Sequence, residues 1–380
     1  MTRPVRHSVV APSIQEIVSF LESLCPSLDP SAALLRSISN LQVGTPADLV
    51  DQIYVVPQPS DSLLATLPSD KRVLLISATP LFETPPIAFD WRTPANRLLL
   101  KLLERRIALY VLPLSYAAAS EGYDVCLAEA VGFPESQPLC RAGTEQQCKL
   151  VVFVPPQAVC KVHQAASEAG AGTIGEYTYC SFQLLGKGTF LPSERANPAI
   201  GQRGNLEEVE EVRLEMVMPQ HALFAVVEAV KAVHPYEEVA YDVYPLYHCG
   251  VPCGRGRKVH LEKPVAFDEL LSTLEHALDL GTACRLRYTP PDPQIANAEV
   301  RHVAIGVGTG VHSDLLGAAR EQEVEVYIAG GTSPSDWIGV PPPLLVDIGF
   351  LPAVAPGLKR LTERLRQVFG GRGVTIEYAP

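Results

Sequence analysis

His248, Cys249, Cys253 and His260 form the densest group of metal-ligating side-chain types in the chain. Imidazoles and thiolates are zinc ligands, but structural zinc sites space them as two close pairs across a longer gap. The spacing here is irregular, and the segment reads better as a linker. A second group, His234-Pro235-Tyr236-Glu237-Glu238, sets an imidazole beside two carboxylates and so contains the parts of an acid/base pair. It also follows a helical stretch and starts a strand. Pro235 suits a rigid turn there, and with nothing else catalytic nearby the structural use is preferred. In the third group, Gly306-Val307-Gly308-Thr309-Gly310, the glycines Gly306, Gly308 and Gly310 would let the backbone approach a phosphate at a helix N-terminus. The third glycine is misplaced for a dinucleotide fingerprint and no P-loop lysine follows, so a plain tight turn is preferred. Ser77 and Cys180 could act as nucleophiles, but neither has a base partner readable in the sequence.

The elements that would position these groups follow from periodicity. Ile14, Ile17, Val18, Leu21 and Leu24 predict a helix with Ser13 as its N-cap. Ile53 to Val56, Val73 to Ile76 and Ile107 to Leu112 read as buried parallel strands, with a helix between Pro94 and Arg106 and another around Val125 to Val131. From Lys149 the order becomes strand (Leu150 to Val154), helix (Pro156 to Ala169), strand (Tyr179 to Leu185), strand (Val212 to Met218), helix (His221 to Val233) and strand (Val239 to Tyr244). That is the ferredoxin-like split βαβ arrangement. After Tyr247 the first grammar resumes, with helices at Phe267 to Leu278, Leu315 to Arg320 and Leu358 to Phe369. Its strands are expected at Ala283 to Tyr288, Val303 to Val307, Val324 to Ile328 and Leu344 to Ile348. The expected organisation is a mostly parallel α/β body in two lobes, 10–146 and 248–380, with an α+β domain inserted at 147–247.

The chain has 380 residues, 47% of them hydrophobic and 19% charged, which is enough apolar material for packed cores. A formal net charge of −11 would repel a phosphate backbone, so no nucleic-acid partner is expected. No apolar run is long enough to cross a membrane, and Met1 to Pro12 carries Arg3, Arg6 and His7 with no apolar stretch after them, so neither a membrane nor a secretory signal is expected. Nine cysteines, odd in number and irregularly spaced, suit a reducing compartment. Cytoplasmic location is the expectation. Many of the 34 prolines, among them Pro80, Pro85, Pro86, Pro290, Pro291 and Pro341 to Pro343, sit where elements should stop.

Several segments carry a resemblance. The stretch from Lys149 to Pro155 (KLVVFVP), the run from Ala169 to Tyr177 (AGAGTIGEY), Cys180-Ser181-Phe182, Gly186-Lys187-Gly188-Thr189-Phe190 and His234-Pro235-Tyr236-Glu237-Glu238 together resemble the PII-like insert of Nif-three-like proteins, also called GTP cyclohydrolase I type 2-like. Asn40-Leu41-Gln42-Val43-Gly44, Ile107-Ala108-Leu109-Tyr110, Gly254-Arg255-Gly256-Arg257 and Val326-Tyr327-Ile328-Ala329-Gly330 extend the resemblance over the flanking lobes. It implies a two-metal cleft whose ligands come from a Thr-His-His-Pro turn, a His-Thr-Asn-Leu-Asp segment and a late Gly-His with Glu four residues on. At the matching positions this chain has Ala78 and Thr79, then Pro113 and Ala117, then Phe350 and Val354. No histidine lies between His7 and His163 to replace the first pair. The expectation is therefore a chain with no metal or other cofactor and no catalytic residue, acting through a small-molecule ligand at the insert or cleft, or through assembly. The alternative is a hydrolase of a nucleotide-like substrate with an altered or relocated metal site. The resemblance also implies a homo-oligomer. Ligand candidates are His234, Glu237, Glu238, Gly306, Gly308 and Gly310.

Overall fold

Ser13 opens the first element as a capping box. Its Oγ accepts the N–H of Glu16 (3.3 Å), and the Glu16 carboxylate accepts the N–H of Ser13 (2.8 Å). Helix α1 (Ile14–Ser23) follows, burying Ile14, Ile17, Phe20 and Leu21 on one side. The structure is a computed structural model describing residues 10–28, 40–82, 88–90, 92–193, 201–280, 287–288, 299–308, 312–338 and 343–380. After β1 (Ser27–Leu28) and β2 (Leu41–Val43) come β3 (Gln52–Val56), α2 (Asp61–Thr66), β4 (Val73–Ser77), α3 (Pro94–Glu104) and β5 (Ala108–Val111). Strands β3, β4 and β5 are parallel neighbours, with Ile53 opposite Leu74 and Leu75 opposite Leu109. Every residue of β4 is buried, as a strand covered on both faces must be. Helix α4 (Tyr123–Ala130) leads into β6 (Gln137–Val154).

The chain divides into two compact units, Met1–Gly143 with Pro252–Pro380, and Thr144–Val251. The smaller unit contains the end of β6, then α5 (Val159–Glu168), β7 (Phe182–Phe190), β8 (Glu207–Pro219), α6 (Leu223–Val233) and the start of β9 (Tyr241–Ala266). Its strand order is β9-β6-β8-β7, the ferredoxin-like order expected. Alternate residues Leu150, Val152 and Val154 of β6 and Leu214, Met216 and Met218 of β8 point into a core closed by Val162, Val226 and Val230 of the two helices. Strand β7 ends the order, and its Phe182, Leu184 and Leu185 are exposed.

In the larger unit the chain continues through α7 (Phe267–Ala277), β10 (Arg287–Tyr288), β11 (Glu299–Val307), α8 (His312–Glu321), β12 (Val326–Gly330), β13 (Leu344–Asp347), α9 (Phe350–Phe369) and β14 (Thr375–Tyr378). Strands β11, β12 and β13 are parallel, β9 pairs with β11 antiparallel, and β14 returns to lie parallel to β3. Three sequence expectations are corrected. Residues 248–260 are not a linker but part of β9; Gly254 and Gly256 are glycines there because a Cβ would strike Cys140 and Pro138 at the first and crowd Leu139 and the carbonyl of Ile305 at the second. Helix α9 begins at Phe350 rather than Leu358 and carries Pro356 inside it, where the missing N–H cannot donate to the Pro352 carbonyl. Strand β14 was not anticipated, being four residues with only Ile376 buried. Of the strand expected at Ala283 to Tyr288, only Arg287 and Tyr288 lie within the described residues. Among the described residues, no helix is long and apolar enough to cross a membrane.

Candidate functional site

The six positions matched to metal ligands lie in the segments that follow the C-terminal ends of β4, β5 and β13, the side on which open α/β sheets place their ligands. Ala78 and Thr79 follow β4, Pro113 follows β5, and Ala117 lies in the short 3-10 turn Leu114–Ala118. Phe350 starts α9 two residues after the buried Ile348, and Val354 lies one turn on, fully buried. The polar atoms here are committed locally. Ser77 is buried, donates to the carbonyl of Thr79 (2.8 Å) and accepts its N–H (3.2 Å), closing the turn on itself. Thr79 Oγ1 donates to the carbonyl of Pro57 (3.3 Å). The Ser77 hydroxyl is therefore a turn-former, not an exposed nucleophile. Cys180 Sγ is similarly turned to the carbonyls of Tyr177 and Thr178.

Two buried carboxylates, both missed in the sequence reading, organise the second set of strand ends. Asp347 closes β13 and accepts the N–H groups of Gly331 (3.1 Å), Gly349 (2.8 Å) and Thr332 (3.3 Å) together with the Thr332 hydroxyl (2.5 Å). That hydroxyl accepts Trp337 Nε1 (2.9 Å), so one side chain ties the ends of β12 and β13 to the next turn. Gly331 has a left-handed φ of +91°, and its missing Cβ leaves room for Phe350. Asp124, on α4, accepts the N–H of Gly256 on β9 (2.7 Å) and of Val307 at the end of β11 (2.8 Å). Burial pushes its carboxyl up to about 7, against the lowering pull of those two N–H bonds and of Arg255 and Arg257. Asp124 was detectable as the one acid inside the otherwise apolar run Tyr123 to Ala128, which marks a carboxylate aimed at partners rather than at solvent.

His234 is buried and both its ring nitrogens are taken by backbone: Nδ1 accepts the N–H of Tyr236 (3.1 Å) and Nε2 donates to the carbonyl of Phe153 (3.1 Å). Burial lowers its pKa, so the neutral ring is favoured. Glu237 and Glu238 are exposed. The geometry is that of a turn lock joining the start of β9 to β6. Gly306 lies inside β11, where a Cβ would strike Tyr327 and Leu315, and Gly308 takes a φ of +130° immediately after the strand. Gly310 lies outside the described residues.

Of the metal-type cluster, Cys253 and His260 both lie on β9, eight residues apart counting both ends, and strand geometry spreads them over roughly 20 Å. Cys253 is buried, while the side chains of His248 and Cys249 lie outside the described residues. His260 instead meets His302 on β11, with Nδ1 of His260 2.9 Å from Nε2 of His302. Sequence spacing could not find this pair, because its members are 42 residues apart and share only a strand register. Among the described residues, no three or more His, Cys, Asp or Glu side chains are placed to hold a metal ion together.

Comparison with known proteins locates the chain. The family model for Duf34/NIF3 (NGG1p interacting factor 3) matches residues 12–378. A Bacillus subtilis (strain 168) protein named GTP cyclohydrolase 1 type 2 homolog is 33% identical over 319 residues, covering 83% of this chain and 82% of the relative. A Mycobacterium bovis protein of the same name is 31% identical over 361 residues, covering 94% and 92%. Among solved structures, a Bacillus cereus protein related to NIF3 superposes with a TM-score of 0.62 at 28% identity, over 97% of this chain and 96% of that one.

Proposed function

This chain belongs to the Duf34/NIF3 family, and on that premise we propose that it acts by binding a small molecule or by assembly rather than by metal-dependent catalysis. The observation that carries this reading is the donor set at the strand ends. A pair of metal ions needs several imidazole and carboxylate ligands. Ala78, Pro113, Ala117, Phe350 and Val354 have no side-chain lone pair, and the one hydroxyl, on Thr79, donates to Pro57. These residues do not fit a dinuclear centre, so no reaction step is routed through one. The resemblance of the smaller unit to a PII-like insert, together with its apolar β7 edge of Phe182, Leu184 and Leu185, supports assembly into a homo-oligomer. The acidic charge argues against a nucleic-acid partner, and the odd, scattered cysteines support a reducing compartment.

The names of the relatives favour a second reading, a hydrolase acting on a nucleotide-like substrate with an altered or relocated metal. Two measurements separate the readings. Elemental analysis of protein purified through gel filtration should find no pair of tightly held metal ions, and two retained equivalents per chain would sink the first reading. GTP incubated with the protein should be returned unchanged, with and without chelator. Turnover would favour the second.

A further inference from the structure

Where β9 and β11 pair, His260 stands directly opposite His302 in the antiparallel register. The rings lie with centroids 4.8 Å apart, on a part of the larger unit where the His302 and Glu325 side chains are both more than two-fifths exposed. The register breaks beside them: Val300 faces Val265, yet His302 faces His260, so β9 carries extra residues in a bulge next to the pair. Bulges re-aim the side chains that flank them. Glu325, just before β12, is anchored first by backbone, its Oε2 accepting the N–H of Arg301 (2.6 Å) and of His302 (2.8 Å). The same oxygen lies 4.0 Å from Nδ1 of His302. At that distance the carboxylate makes no hydrogen bond to the ring, but its charge favours the tautomer with the proton on Nδ1, which leaves the lone pair of Nε2 facing His260.

Two ring nitrogens thus face one point, and only one proton can lie between them. We propose that His260 and His302 form a two-imidazole site for a single divalent late transition metal ion of the nickel and zinc class, with Glu325 as a positioning residue behind His302. The cation takes the place of the shared proton. In a neutral pair that proton moves through solvent from Nδ1 to Nε2 of His260, so each ring keeps one N–H, offers one lone pair, and no proton is released overall. Water completes the coordination. Metal–nitrogen bonds of about 2.0–2.1 Å at a tetrahedral angle need the two nitrogens about 3.3 Å apart. The present 2.9 Å opens to that with a small rotation of two solvent-facing rings. None of the strand-end positions discussed above takes part.

The test is titration of the full chain with Ni2+ by calorimetry at neutral pH, after alkylation of the solvent-accessible cysteines under native conditions so that exposed thiolates do not compete. The wild type should bind one more equivalent than H260N, and one more than H302N, which reaches the same answer independently should either variant fold poorly. E325Q should keep the equivalent with affinity lowered by roughly tenfold, the lower end of what outer partners of metal-bound histidine contribute. Equal stoichiometry in wild type and both histidine variants would overturn the site, and unaltered affinity in E325Q would overturn the role given to Glu325. The readout is a difference between wild type and variants. Failure of the metal-free reading of the cleft would appear instead as metal retained equally by all of them.

Discussion

In the smaller unit, a buried imidazole has a backbone partner on each nitrogen: His234 accepts from Tyr236 and donates to Phe153. In the larger unit, two solvent-facing imidazoles have each other, and the backbone bonds nearby go to Glu325 instead. Asp124 belongs with His234, since both of its oxygens are occupied by N–H groups from other strands. The difference separates polar residues that close a fold from those left able to take a ligand. A buried group saturated by backbone has nothing further to offer, and removing it leaves its partners exposed to the full cost of desolvation. A pair held only by one shared proton can exchange that proton for something else.

The contrast can be broken most forcefully at Asp124. Asparagine keeps one acceptor oxygen and loses the other, so D124N leaves the N–H of Gly256 or Val307 unmatched at a cost of about 1–3 kcal/mol. That penalty should depend on pH. The carboxyl is raised in the folded state to about 7 from an ordinary 3.8, so the folded chain binds more protons than the unfolded chain between those values. Its contribution is fully present below the unfolded value and is lost as pH rises through 7, at up to about 1.4 kcal/mol per pH unit. Urea denaturation of wild type and D124N from about pH 5 to about pH 8 should show the difference shrinking with rising pH. A difference that stays flat would remove the buried proton from the account.

An effect of similar size, with the opposite pH dependence, is expected at His234. H234A strands the carbonyl of Phe153 and the N–H of Tyr236, for a loss of roughly 1–3 kcal/mol. Here the folded pKa is depressed, so the stabilisation is present above the unfolded value near 6.5 and fades as pH falls. The penalty of H234A, measured by denaturation, should therefore be greater in mildly alkaline than in acidic buffer. A penalty that grows on acidification would mean that His234 is held charged. The smallest effect belongs to the exposed pair. H260N and H302N, in chelator, should each shift stability by no more than about 0.5 kcal/mol, the range of ordinary surface changes. A loss as large as that of H234A would make the pair structural and erase the comparison.

Much of the architecture was legible from periodicity, because long apolar runs such as Val73 to Ile76 and the alternation in β6 and β8 state their burial directly. The capping box at Ser13 and Glu16 was half visible, through Ser13 alone. What periodicity could not reach was long-range closure. Strand β14 takes its place from β3 across the whole chain, and β9 passes through a glycine-rich, polar stretch because β11 and β6 demand close backbone approach there. The candidate sites divide in the same way. The turn around His234 and the left-handed Gly308 are local geometry and could be weighed residue by residue. The Asp124 clamp, the Asp347 hub and the His260–His302 pair depend on registers between segments, to which spacing along one strand is blind.

The reach of Asp124 also sets a timetable for synthesis. Its two donors, Gly256 and Val307, lie 132 and 183 residues further along the chain. At ribosomal speeds of about 5–20 residues per second, the first lobe waits on the order of ten to forty seconds before its carboxylate can be closed in. In that interval α4 must leave the acid in water, so the face of the nascent lobe that will become interior stays wet and unsealed. The whole smaller unit, 144–251, emerges before either donor does. It can fold around its own core while the two halves of its host are still waiting to meet.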